Sequence, residues 1–219
     1  MNVIPFRPRV AVEPLAFAIG ARVDLRIGAL ASGVVRPRGL PQEAFSFSAL
    51  SRLLRAARMA WRERGAHAPL TLAIAPEVQC DLEADLLSEA GIEAGCTRHT
   101  LVFQLNEREL VSGGVLLAED LRARGWPVAL RGDPDCPLPF GARARALYSE
   151  LVMDAPDGPD PFLALESGDR SPLGRRLLAA RAAGLTITAE SVATASQARA
   201  LAIAGFDRGG GPFAEAGLR

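Results

Sequence analysis

Residues 185–213 read LTITAESVATASQARALAIAGFDRGGGPF, and the fold is decided in this stretch. Leu185, Ile187 and Ala189 alternate with threonines, which is the period of a strand. From Val192 onward the period changes, and Val192, Ala195, Ala198, Leu201 and Ile203 recur at helical spacing. Glu190 therefore stands where a strand hands over to a helix, an edge at which charged side chains face functional sites.

Working outward, the same alternation recurs along the chain. After a proline-containing tail, residues 1–14, the stretches Leu15–Leu25 and Ala29–Val35 predict two strands. Phe47–Arg64 predicts a helix, with Leu50, Leu53, Leu54, Ala57 and Trp61 on one face and Ser46 or Ser48 as its cap. Leu70–Ala75 is a strand, Leu82–Ala90 a helix closed by Gly91, and Thr100–Leu105 a strand. Glu107–Arg124 follows as a helix interrupted by Gly113 and Gly114. Trp126–Leu130 and Tyr148–Met153 are strands separated by a loop and a short helix, residues 154–169 are rich in proline and glycine, and Ser171–Ala183 is helical. Strands alternating with helices about every thirty residues argue for a parallel sheet covered by helices, and a single TIM-like barrel over residues 15–219 fits best.

Composition narrows the function classes. The 219 residues are 49% hydrophobic, which suits one large core, and formal charge balances at zero. That balance carries no electrostatic footprint for a nucleic-acid polymer or a polybasic membrane contact. Every basic residue among the 25 is arginine, so no lysine serves as a catalytic base. Cys80, Cys96 and Cys136 are odd in number and widely spaced, signalling neither a disulfide framework nor a zinc site. No stretch reaches the roughly 20 apolar residues of a membrane span, and the expected location is the cytoplasm.

Several segments together resemble the bacterial EAL phosphodiesterases, which cleave cyclic di-GMP. AESVAT, Gly205-Phe206-Asp207 and GGGPF are similar to the family's AEGVET, Gly-x-Asp and QGYLF, and LLSEAGIEAGCTRHTLVFQLNE to its helix, loop and LEITE strand. GWPVALRGDP resembles GVRIALDDFG, and SELVMD resembles DALKID. The resemblance implies an EAL-type barrel and a chemistry in which divalent ions, held by acidic and amide oxygens, activate water. It also places Ser32, Ala75, Gln104, Arg131, Gly132, Val152 and Gly210 where the family keeps its functional residues, and leaves only Glu190 acidic. Arg131 in place of a carboxylate repels a cation. The expectation is a degenerate domain that is not an enzyme and takes no metal or other cofactor.

Arg36 matches a family arginine that helps hold the nucleotide, and with Arg131 and Glu190 it forms the set of candidate ligand-binding residues. Guanidinium forks match phosphate oxygens, although an arginine at a strand end also serves as a solvated or carboxylate-paired group. Glu190 is expected to pair with Arg131 or to cap the following helix. Gly209–Gly211 reads as a flexible turn rather than a phosphate loop, Asp133 and Asp135 as Asp-Pro turn residues, and His67 and His99 as surface residues. The function expected is a regulatory domain acting on an unidentified protein partner, with Pro137–Phe140 and Pro161–Leu165 as contact segments and a homodimer as a further arrangement. A metal-independent receptor for cyclic di-GMP is the alternative, and an active phosphodiesterase the third reading.

Overall fold

Eight strands close into one barrel in sequential order: β1 Phe17–Asp24, β2 Leu30–Pro37, β3 Leu70–Ala73, β4 Leu101–Asn106, β5 Val128–Arg131, β6 Glu150–Asp154, β7 Thr186–Glu190 and β8 Arg208–Gly210. The structure is a computed structural model that describes residues 17–38, 45–109, 115–133, 146–155 and 172–216. Helices α1 Phe47–Glu63, α2 Ala84–Glu93, α3 Val115–Ala123, α4 Pro172–Ala182, α5 Ala195–Ala204 and α6 Pro212–Ala216 accompany the strands, with single turns at Pro76–Gln79 and Glu107–Glu109. Pro137–Phe140, Pro161–Leu165, Asp135, Cys136 and the tail lie outside the described residues, and so does the Gly113-Gly114 interruption.

The sheet departs from the all-parallel expectation at one strand. β2 to β8 run parallel to their neighbours, but β1 is antiparallel to both β2 and β8. The cause is local. Only residues 25–29 connect β1 to β2, and a link that short joins antiparallel neighbours, whereas parallel strands need a long crossover. Asp24 closes this hairpin by accepting the Arg26 and Ile27 amide protons on Oδ1, at 2.8 and 3.1 Å.

Strand alternation divides the side chains into two populations. Leu70, Leu72, Leu101, Phe103, Leu105, Val128, Leu130, Leu151 and Ile187 belong to the hydrophobic core, to which helix α1 contributes Leu50, Leu53, Leu54, Ala57 and Trp61, as its periodicity predicts. Phe103 meets Trp126 edge to face at 5.5 Å, and Trp126 donates Nε1–H to Ser88 Oγ of α2 at 2.8 Å. Residues of opposite parity, among them Gln104, Arg131, Glu150, Thr188, Glu190 and Arg208, turn into the barrel.

Two glycine expectations are corrected. Gly91 does not close its helix; α2 continues to Glu93, and the turn comes at Gly95, whose φ of +71° is left-handed. A Cβ at Gly91 would lie 3.2 Å from Leu101 and 3.4 Å from Trp126, so glycine there brings α2 close to the barrel wall. Gly209 and Gly210 are not a flexible turn but buried residues of β8, whose three residues are too few to give a readable period.

Candidate functional site

The parallel strands place the carboxyl ends of β2 to β8 on one rim. A cavity of about 480 Å³ opens there, and Arg36, Gln104, Asn106, Arg131, Asp154 and Glu190 are among its lining residues. This size falls within the range of small-molecule sites. Asn106 is fixed by Gln79, which accepts its backbone N–H at 2.6 Å and donates to its carbonyl at 3.0 Å, tying the Pro76–Gln79 turn to β4. Ser191, which also lines the cavity, follows Glu190 with a left-handed φ of 63°, an uncommon conformation for a residue with a side chain.

Glu190 and Gln104, which line this mouth, are both held by a residue that sequence reading passes over. Arg22, on β1, is 0% exposed. Its Nε and Nη2 donate to Glu190 Oε1 at 2.8 and 2.6 Å, Nη2 also to Gln104 Oε1 at 2.7 Å, and Nη1 to Glu150 Oε1 at 3.4 Å. Glu150 in turn accepts from Thr188 Oγ1 and faces Arg208 Nη1 at 3.5 Å. Arg36 donates to Glu190 Oε2 from the solvent side, with its side chain 46% exposed. One carboxylate is thus clamped between two guanidiniums. Burial pushes the Glu190 carboxyl up, but the Arg22 and Arg36 charges, the Arg22 hydrogen bond and the more distant Arg131 outweigh it and hold the group below the usual carboxylate range.

These contacts revise the role expected of Glu190. Its direct partners are Arg22 and Arg36, while Arg131 pairs with Asp154 at 2.5 Å. Nor does Glu190 cap the helix: Thr194 caps α5 by accepting the Gln197 amide proton at 3.1 Å, and the Gln197 side chain reaches back to accept that of Ala193 at 2.8 Å.

Other candidates are distributed around this centre. Ala75 lines the cavity, Val152 is buried on β6, and Gly132 donates its amide proton to the Val152 carbonyl at 2.7 Å. Ser32 lies deeper on β2, and its Oγ, like Thr71 Oγ1, is buried with no hydrogen-bond partner among the described residues. Asp133 pairs with Arg108 at 2.7 Å, and His67 and His99 are exposed, away from any nucleophile arrangement. Gly210 has a steric part in the site. A Cβ there would lie 3.2 Å from Arg22 Cγ and 3.6 Å from Glu190 Oε1, so the absence of a side chain leaves the channel through which the arginine stem runs.

The donor set does not fit the divalent ions that EAL-type chemistry implies. Among the described residues no three acidic, histidine or cysteine side chains converge as a metal site. Both oxygens of Glu190 and both of Glu150 already face donors. A dication at about 4 Å from a guanidinium would be repelled by about 8 kcal/mol at an effective dielectric near 20.

No family model matches the chain, and no curated protein does. Solved structures do match. The PaMucR phosphodiesterase in complex with c-di-GMP is 17% identical, covers 91% of this chain and 94% of its own, and superposes with a TM-score of 0.68. The EAL domain of Mycobacterium smegmatis DcpA is 24% identical over 90% of each chain, with a TM-score of 0.64. Klebsiella pneumoniae BlrP1, in a calcium and cyclic di-GMP complex, is 16% identical with a TM-score of 0.68; 91% of this chain is covered, and it spans only 54% of that one.

These neighbours correct one expectation. The reading of the chain as no enzyme, a member emptied of its chemistry, is overturned by the matched structures, which are named as phosphodiesterases and EAL enzymes. Degeneracy has no support from the comparisons. Among the described residues no helix is long and apolar enough to cross a membrane. The architecture, eight strands closed in order with helices around them, is the fold of these matched EAL structures.

Proposed function

We propose that this domain takes part in cyclic di-GMP signalling by binding the nucleotide at the carboxyl-end mouth, with guanidinium groups supplying the positive charge opposite its phosphates. The observation that carries the reading is the charge balance of the mouth. Arg22, Arg36, Arg131 and Arg208 are gathered with Glu150, Asp154 and Glu190, leaving an excess of one positive charge in this network. Arg36 and Arg131 both line this cavity and keep solvent-facing surface, so both can turn part of their forks toward phosphate oxygens. Gln104 and Asn106 add amide groups between them.

Arg36 is the principal ligand contact in this reading, Arg131 the second, and Glu190 the group that orients Arg36. The barrel is taken as one domain over residues 15–219. Calorimetric titration with cyclic di-GMP in the presence of a chelator tests the proposal, with product release followed in parallel in magnesium or manganese buffer. Saturable heat that Arg36→Ala abolishes supports it. Absence of heat in chelator together with absence of product in the metal buffer would transfer the function to a protein contact.

A further inference from the structure

Oxygen atoms from three strands, Glu190 Oε1 of β7, Gln104 Oε1 of β4 and Glu150 Oε1 of β6, converge on one fully buried cationic group. Convergence of carboxylate and amide oxygens from several strands is the arrangement that a hard divalent cation requires. Here the cation is covalently part of the chain. The Arg22 guanidinium is permanently charged and presents its N–H donors in a fixed plane, and three of its nitrogens are engaged with these oxygens. The stem reaches this position because Gly210 carries no side chain where a Cβ would press against it.

We propose that Arg22 is the resident cation of the mouth: it positions Glu190, and through Glu190 also Arg36, in the role that a bound divalent ion would otherwise fill. Ligand recognition at this mouth is consequently indifferent to divalent ions and to chelators. The proposal concerns the charges inside the barrel and stands whether or not cyclic di-GMP is the ligand. It also predicts a latent property. A neutral residue of similar length at position 22 removes the guanidinium that stands between the strands and frees Glu190 Oε1 and Gln104 Oε1, so that an added cation can take over its contacts while Arg36 and Arg208 keep the second oxygens of Glu190 and Glu150.

Manganese binding, followed by electron paramagnetic resonance, separates this role from a merely structural one. The full chain, Arg22→Gln and Arg22→Gln/Glu190→Gln are titrated at millimolar manganese, and melting temperatures are recorded with and without the ion. The unaltered protein is expected to have no manganese site that Glu190→Gln removes, and its melting temperature to be the same in manganese and in chelator. Arg22→Gln is expected to gain one equivalent of bound manganese and a higher melting temperature in its presence, both lost in the double variant. Stoichiometric, Glu190-dependent manganese binding by the unaltered protein overturns the proposal, as does a folded Arg22→Gln protein that gains no site. Should Arg22→Gln fail to fold, the unaltered protein and its Glu190→Gln variant decide the matter by themselves.

Discussion

The two faces of the same strands follow different rules. Outward, Leu101, Phe103, Leu105, Val128, Leu130 and Ile187 meet apolar helix faces, and area removed from water is what stabilises them. Inward, Arg22, Gln104, Glu150, Thr188 and Glu190 are equally buried but held by directed hydrogen bonds and opposite charge. The outer face tolerates any side chain of the right size and polarity. The inner face is a closed network in which each member presupposes the others, and this is where the chain has its individuality.

The largest expected effects set the two faces against each other. Phe103→Ala should cost about 3–5 kcal/mol in a denaturant titration through the cavity left beside Trp126. Arg22→Leu should cost a comparable 3–5 kcal/mol for a different reason, because two buried carboxylates lose the buried guanidinium they share and keep only the partly exposed Arg36 and Arg208. The faces separate in rescue. Replacing Glu190 and Glu150 by leucine in the Arg22→Leu background should recover much of the loss, whereas a polar substitution near Phe103 should recover none.

Acidification sharpens the contrast. Because the Glu190 carboxyl is held below its ordinary range in the folded state, the unfolded chain binds more protons in that window. The stabilisation is present above about pH 4.3, the ordinary glutamate value, and is lost as pH falls through the lower folded value. Denaturation midpoints measured down this range should drop more steeply for the natural chain than for Glu190→Gln; equal slopes would place the clamp's contribution near zero.

Smaller effects are expected toward solvent. Arg36→Ala should change stability by at most about 1 kcal/mol, since its side chain is 46% exposed, while weakening nucleotide binding. Arg124→Ala, which removes an exposed pair with Asp85, should stay within about 0.5 kcal/mol and leave binding unchanged. A large loss of affinity in Arg124→Ala would mean that the mouth is not where charge matters.

The same division explains what the sequence made legible. The outer face is written as local periodicity, so the strands at 70, 101, 128 and 186 and the helix at 47 are readable within one window of sequence. Glu190 is readable too, because a carboxylate ending an apolar strand stands out. The partners of Arg22 lie 82, 128 and 168 positions away in Gln104, Glu150 and Glu190, and no window connects them. The available signal was a charge on inward parity within FAIGARVD, together with a glycine run in β8 that left room for it. The reversed strand was missed because alternation carries no direction; the five-residue link between β1 and β2 carried it instead.

Side-chain nitrogen resonances of the arginines bear most directly on the claim that a buried guanidinium fills the centre of this barrel. One Nε–H, assigned by its disappearance in Arg22→Leu, should exchange with water far more slowly than those of the other arginines and should be unaffected by manganese or chelator. An Arg22 Nε–H that exchanges as fast as the surface arginines, or that shifts when a divalent ion is added, would contradict it.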